Sequence, residues 1–310
     1  MKILIIRPAA LGDTLMLVPA LDRMRQFASL CVAGRMPGLE YLEAFADPCL
    51  DFEAAGWHTL FTSTPEVPAL PGADLAIAFL QDPEGTVRQN LSALLPGAGV
   101  YLFPGLPSPG EGMHVALYLA RCLHAAGACL DPDEAMREAL RRPLLRPDGH
   151  APRDGRIVLH PGSGGREKNH PPEFWLDLIS RMRVEPSFRG RGLTVLLGPA
   201  EADLRPLFER RVRDGGDVIL FAPEKRRLVS LLENADPYVG QDSGITHLAA
   251  MLGAPTLALF LSSSVLQWRP LGPRVRVILH PEPDLNLVSQ VLTEVRSLTG
   301  TRDESRSRDR

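Results

Sequence analysis

The stretch from Arg156 to Pro171, RIVLHPGSGGREKNHP, constrains the fold of this chain more than any other. Ile157, Val158 and Leu159 make the short apolar run needed by a parallel strand buried on both faces. The run stops at His160-Pro161. Gly162, Gly164 and Gly165 then allow backbone N–H groups to approach a ligand closely. Pro171-Pro172 suits the first turn of a helix, which Glu173, Phe174 and Trp175 continue. A strand, a glycine-rich turn and a helix start together form an anion pocket, because unpaired N–H groups and the helix dipole point the same way. Lys168 lies within that turn. An ordinary strand-to-helix loop with a solvated Lys has the same local pattern, so this window alone leaves both readings open.

The N-terminus repeats the arrangement. Lys2 to Ile6 reads as a strand and Arg7 to Gly12 as a tight turn. Asp13 is placed to cap a helix running from Thr14 to about Phe27, with Leu17, Leu21, Met24 and Ala28 on one face. Leu30 to Ala33 and Asp74 to Phe79 are further strands, and Leu39 to Ala46 carries helical material. The Pro- and Gly-dense stretch from Pro96 to Gly112 reads as looped, and Met113 to Ala126 as a helix. Asp131-Pro132-Asp133 looks like a helix start, and Arg137 to Gly155 is the candidate linker. Two β-turn-α openings in 310 residues point to two doubly wound α/β domains in tandem. The expected division is 1–150, 151–283, a late helix at 284–299 packing across the domains, and a disordered polar tail at 300–310.

The second half keeps alternating. Phe174, Leu178, Ile179 and Met182 share a helix face, which makes Trp175 a packing residue. Leu193 to Leu197 is a strand, followed by a helix from about Ala202 to Arg213. Val218 to Phe221 is a strand and Lys225 to Ala235 a helix. Tyr238 to Gln241 is a short strand, after which Asp242-Ser243-Gly244 opens a helix with Ile245, Leu248, Ala249 and Leu252 on its apolar face. Gly253 ends it, Pro255 to Leu261 begins the last strand, and Leu285 to Leu298 is a late helix.

Charge separates the halves. Residues 1–150 are net −6 and residues 151–310 net +3, so the second half is the better host for an anion. The overall charge of −3 gives no reason to expect nucleic acid as a partner. Of the 34 basic residues only Lys2, Lys168 and Lys225 are Lys, which suggests that the turn at 168 needs a compact ammonium. The four cysteines show no metal-binding or disulfide spacing, the apolar runs are strand-sized, and no basic amphipathic anchor appears. A cytoplasmic protein with at most peripheral membrane contact is expected, with no metal and no cofactor.

The motif DSGITH (242–247) carries the second candidate pocket. Ser243 and Gly244 expose N–H groups at a helix start, and His247 lies off the apolar face, on their side. The plainer reading makes Asp242 an N-cap and His247 a partly exposed helix residue. Both helix starts follow parallel strands, so both loops are expected at the carboxyl ends of one sheet, where ligands bind. Glu201, just past another strand, joins them as a candidate acceptor for ribose hydroxyls, or else serves only as a helix-start acid.

These residues carry a resemblance. ILIIRPAALGDTLMLVPAL, HPGSGGREKNHPPEFW, LLGPAEAD, GQDSGITHLAAMLGAPTLALF and WRPLGP, in that order, are similar to the motifs of glycosyltransferase family 9, the ADP-heptose:lipopolysaccharide heptosyltransferases. The resemblance implies the GT-B fold, two Rossmann-like doubly wound domains facing a cleft. It implies an inverting transfer of a sugar, heptose for this family, from an ADP-linked donor to a saccharide or lipopolysaccharide-type acceptor. Position by position, Asp13 matches the general base and Lys168 the Lys that holds the donor diphosphate. Ser163, Asp242, Ser243, Gly244 and His247 match the phosphate-loop and helix-start positions, and Glu201 the nucleotide-side carboxylate.

Two departures stand out. The family's Lys-x-Trp-Pro reads Lys168-Asn169-His170-Pro171 here, and the acidic first half suits a neutral or cationic acceptor better than a phosphorylated one. Both would also fit a non-catalytic, nucleotide-sugar-binding accessory protein of a polysaccharide pathway. A nicotinamide-dependent oxidoreductase shares the fold class, but the turn at 7–13 lacks G-x-G-x-x-G spacing.

Overall fold

In a computed structural model of the chain, residues 1–67, 70–108, 110–146, 155–212, 217–281 and 285–299 are described. The chain divides into two compact units, Met1–Leu145 and Arg146–Arg310, each with its own parallel sheet. The 300–310 tail and residues 147–154 of the expected linker lie outside the described residues.

The N-terminal sheet contains β1 (Lys2–Arg7), β2 (Ser29–Gly34), β3 (Cys49–Asp51), β4 (Leu75–Phe79) and β5 (Gly99–Phe103). Their order is β3-β2-β1-β4-β5, all parallel. Five helices accompany them: α1 (Leu11–Leu15), α2 (Val18–Met24), α3 (Thr86–Leu94), α4 (Val115–Ala125) and α5 (Pro132–Arg141). From the central strand, Leu4 and Ile6 pack with Trp57, Leu60, Val87 and Leu91 on one face. Alternation sends Ile3 and Ile5 to the other face, and burial on both faces is why the strand reads as an unbroken apolar run.

The C-terminal sheet contains β6 (Ile157–His160), β7 (Leu193–Leu197), β8 (Val218–Phe221), β9 (Tyr238–Gln241), β10 (Thr256–Phe260) and β11 (Val275–Leu279). Its order is β11-β10-β9-β6-β7-β8, again all parallel. The helices are α6 (Pro172–Val184), α7 (Arg205–Arg211), α8 (Lys225–Asn234), α9 (Gly244–Met251), α10 (Val265–Trp268) and α11 (Leu285–Thr299). Leu287, Val288, Val291 and Val295 of α11 join Trp175, Leu178 and Ile179 of α6 over this sheet. The apolar face of α11 is thus buried in the core of its own unit.

In each sheet the chain winds outward from a first strand, then crosses back to pair a later strand on that strand's other side. The crossing lies between β1 and β4 in one sheet and between β6 and β9 in the other. Loops leaving the two neighbours diverge there and open a crevice at their carboxyl ends.

Several sequence expectations shift. The helix expected over Thr14–Phe27 is two helices, because Pro19 has no N–H to continue the ladder and instead sits in the first turn of α2. Asp13 does not cap it: Ala10 holds the N-cap position, with no side-chain cap bond, and Asp13 lies inside the first turn of α1. The region 96–112 contains the strand β5, whose half-exposed residues lack a core-like signal. The linker expected from Arg137 begins inside α5, which Asp131 caps by accepting from the N–H groups of Asp133 and Glu134 at 2.9 and 3.0 Å. Pro255–Leu261 is followed by one more strand, β11, whose alternating burial marks an outer position.

Candidate active site

Two loops meet at the crossing of the C-terminal sheet. One leaves β6 after His160 and runs to α6, and the other leaves β9 after Gln241 and starts α9. Lys168, closing a 3-10 turn of the first loop, places Nζ 3.1 Å from Oδ2 of Asp242 on the second. The Asp242 carboxylate is buried and the Lys168 ammonium about one-third exposed (37%). On the other oxygen, His247 Nε2 lies 3.9 Å from Asp242 Oδ1. His247 is buried, so its ring is turned inward toward this carboxylate and away from solvent.

Ser243, and not Asp242, is the N-cap of α9, its hydroxyl accepting from Thr246 N–H at 3.3 Å. That hydroxyl also lies 3.1 Å from Thr246 Oγ1 and 3.4 Å from His160 Nδ1. Tyr238 completes the cluster, its hydroxyl 3.1 Å from Thr246 Oγ1. Full burial pushes His160 down to about 4, so the ring is neutral at pH 7. A neutral ring beside the helix start leaves the local field to the Lys168–Asp242 pair and the α9 dipole, and Gly244 opens that helix without a side chain.

The first loop is held from within and from below. The Ser163 hydroxyl donates to the Gly165 carbonyl at 2.7 Å and sits 2.6 Å from the Asn169 side-chain amide. Below the loop, Oε1 of Gln241 accepts from the His170 N–H at 2.7 Å and meets His170 Nδ1 at 3.0 Å. The Gln241 amide donates back to the Pro161 carbonyl. An oxygen facing Nδ1 selects the Nδ1–H tautomer, and burial depresses the ring's pKa, so His170 is a neutral aromatic. It packs 5.1 Å from the Phe174 ring, ring centre to ring centre. At position 170 the chain therefore retains an aromatic, but one with a hydrogen bond to the strand beneath.

Glu201 follows β7 and is folded back. Its Oε2 accepts from Gly198 N–H at 2.8 Å, and burial raises its carboxyl pKa. The carboxyl lies against Gly162, where any side chain would overlap it. The sequence reading gave Gly162 to a ligand; in the structure its missing side chain makes room for Glu201. By contrast, Gly164 faces open space. A cavity of about 180 Å³ lies beside these groups, lined by His170, Trp175, Glu201 and Leu204 among others.

Asp13 stands in the N-terminal unit, at the end of the turn after β1. Its side chain is one-third exposed, and the buried guanidinium of Arg7 lies 3.8 Å from its Oδ1. Sequence reasoning did not single out Arg7, His160, Gln241 or Thr246. Their signal was position alone: Arg7, His160 and Gln241 each end a strand, and Thr246 lies in the first turn of the helix that follows β9. Among the described residues, no group of three His, Cys, Asp or Glu side chains is placed to hold a metal ion, and no helix is long and apolar enough to cross a membrane.

Two parallel doubly wound units, one with a Lys–Asp pair beside a helix start at its strand crossing, define a class of protein: an α/β fold matching that of GT-B heptosyltransferases. The E. coli heptosyltransferase WaaC, solved with ADP, is 15% identical with a TM-score of 0.66, over 95% of this chain and 100% of that one. E. coli ADP-heptose lps heptosyltransferase II gives 19% and 0.67, over 96% and 98%. A family 9 glycosyltransferase from Veillonella parvula gives 15% and 0.69, over 96% and 97%. Curated protein sequences give no match. Residues 148–293 match the family model Glycosyltransferase family 9 (heptosyltransferase). Over residues 148–293 the chain thus bears the family 9 likeness its motifs carry, and along nearly its whole length it shares the fold of these heptosyltransferases.

Proposed function

We propose that the protein is an inverting, metal-independent glycosyltransferase that moves a sugar, heptose by family likeness, from an ADP-activated donor to a saccharide or lipid-linked acceptor. The observation that carries this reading is the Lys168–Asp242 contact at the strand crossing, 3.1 Å long and next to the N-terminus of α9. An ammonium and a set of helix-start N–H groups at one point suit a diphosphate, whose charge grows as the sugar leaves. Ser163 and Asn169 hold the loop that carries Lys168. His247 and Asp242 give that Lys a fixed resting place, and Glu201 serves the ribose side. Asp13 takes the proton of the acceptor hydroxyl as its oxygen attacks the anomeric carbon, and the nucleoside diphosphate departs from the opposite face. None of Cys31, Cys49, Cys122 and Cys129 is in a disulfide, which suits a reducing, cytoplasmic compartment.

Calorimetric titration with ADP, UDP and GDP tests the donor assignment. Selective ADP binding that weakens in Lys168→Ala supports it, whereas preference for UDP or GDP discards the ADP-linked donor. Intact ADP binding without turnover on any saccharide or lipid-linked acceptor would favour an accessory, nucleotide-sugar-binding role.

A further inference from the structure

Arg7 ends β1 with only 2% of its surface exposed. A buried guanidinium is tolerated only when its donors are used and its charge is answered. Here Nε donates to the Asp13 main-chain carbonyl at 3.1 Å, and Nη1 donates to the Gly105 carbonyl at 2.8 Å. Nη2 faces Asp13 Oδ1 at 3.8 Å, and the guanidinium lies 5.6 Å from the centre of the Phe79 ring. Next to it, the Tyr118 hydroxyl donates to the Pro104 carbonyl at 3.0 Å. Two neighbouring carbonyls of one segment are therefore held against α4 and β1, while the same fork holds both the main chain and the carboxylate of Asp13.

We propose that Arg7 is the positioning residue of Asp13, fixing the aim of its carboxylate and holding a positive charge beside it. The proposal rests on the reading of Asp13 as the base. The 3.8 Å separation is long for a hydrogen bond, so the guanidinium acts on the carboxylate electrostatically. A Lys cannot do this, since a single ammonium does not span two carbonyls and a carboxylate in a planar fork. The other titratable groups near Arg7 are Tyr118 and Cys122 of α4. Burial pushes both upward in pKa, so they stay neutral around pH 7 and do not compete with Asp13 for the charge of Arg7; Glu111 acts on that pair from the preceding loop.

The test is a carbon-13 NMR titration of the Asp13 side-chain carboxyl in the full chain, assigned by its loss in Asp13→Asn. In Arg7→Gln the midpoint should rise by about one pH unit or more, the response of a carboxylate that loses a cation at this range. An unmoved midpoint in a folded Arg7→Gln overturns the proposal. A second measurement needs no change at Arg7. In the wild-type protein the Arg7 Nε–H resonance should shift with the midpoint of Asp13 and become flat in Asp13→Asn. An Arg7 resonance that ignores Asp13 also overturns the proposal. A purely structural Arg7 would lower the melting temperature and leave both titrations unchanged. The base reading is tested separately: if Asp13→Ala keeps full turnover, that reading fails and the role of Arg7 in catalysis fails with it, whatever the titrations show.

Discussion

Lys168 and Asp242 lie 74 positions apart in sequence and 3.1 Å apart in space, the ammonium one-third exposed and the carboxylate almost fully enclosed. The asymmetry matters. The enclosed carboxylate fixes where the Lys rests, while its exposure leaves the ammonium free to meet an incoming anion. Lys168→Ala should weaken ADP binding about tenfold or more by calorimetry, the scale of one charge-assisted bond. Lys168→Arg should recover only part of it, because the guanidinium fork does not match a pocket shaped for a point charge. Equal ADP affinity in all three proteins would remove Lys168 from the donor site.

Asp13→Ala should reduce transfer by about a hundredfold or more, the usual contribution of a general base, with ADP affinity unchanged. Because Asp13 is not the cap of α1, no cap bond is lost, but the buried Arg7 loses its answering charge. The melting temperature should therefore fall in Asp13→Ala, and in Asp13→Asn it should fall much less than activity does. Activity losses that merely track the loss of thermal stability across the two variants would return Asp13 to a structural role.

Gly162→Ala puts a methyl group where the Glu201 carboxyl now packs. Either Glu201 is expelled from its bond with Gly198 or the loop shifts, at a cost of about 1–3 kcal/mol in urea unfolding. Gly164→Ala, facing open space, is the control and should be close to neutral. If the two variants unfold alike, the proximity of Gly162 and Glu201 is not real.

Gly272→Ala tests the WRPLGP motif. A side chain there would overlap the Ala250 backbone in α9, which cannot rotate away as a flexible side chain can. Destabilisation of about 2 kcal/mol or more is expected, read as a lower denaturation midpoint with an unchanged slope. An unaltered midpoint would mean that the loop and helix are further apart than described.

His160 gives the pH dependence. Its folded pKa, about 4, lies below the ordinary 6.5, so the folded state binds fewer protons between those values. A base depressed in this way contributes stability that is fully present above about 6.5 and is lost as pH falls toward 4, on the order of 3 kcal/mol. Glu201, whose carboxyl is raised, acts in the opposite sense and favours folding at the acid end. Urea denaturation of wild type and His160→Gln between pH 7 and 4 separates the two. The variant should show a flatter decline, and identical declines would refute a buried neutral His160.

Much of the fold was legible because buried parallel strands announce themselves: KILIIR, DLAIAF, RIVLH and TLALF are apolar on both faces and end at turn residues. The outer strands β3, β5 and β11 were not, since one exposed side thins the apolar signal, and three or five such residues look like loop. The helix boundary failed at Asp13, and the plainer reading of Asp242 as a cap fails with it, for one reason. A short acid before an apolar face reads as a cap, yet Ala10 and Ser243 occupy those positions and both acids instead meet cations, Arg7 and Lys168. Those partners lie 6 and 74 residues away, and only the strand crossing brings the second pair together. The role of Gly162 was equally invisible, because its reason is Glu201, on a different loop.

His170 and Gln241 have a consequence for how this sequence is able to change. One side-chain oxygen serves both the backbone and the ring of position 170, while the amide of the same residue returns to Pro161. The two positions are therefore a matched set that can be exchanged only together. A Trp introduced at 170 alone brings an indole too large for the enclosed site and a different donor geometry for the amide below. Placing Trp at 170 and a smaller residue at 241 should recover part of the stability that the single change loses, and a double-mutant cycle would measure that coupling. The His that departs from Lys-x-Trp-Pro is thus tied to a residue at the end of a neighbouring strand, outside the motif.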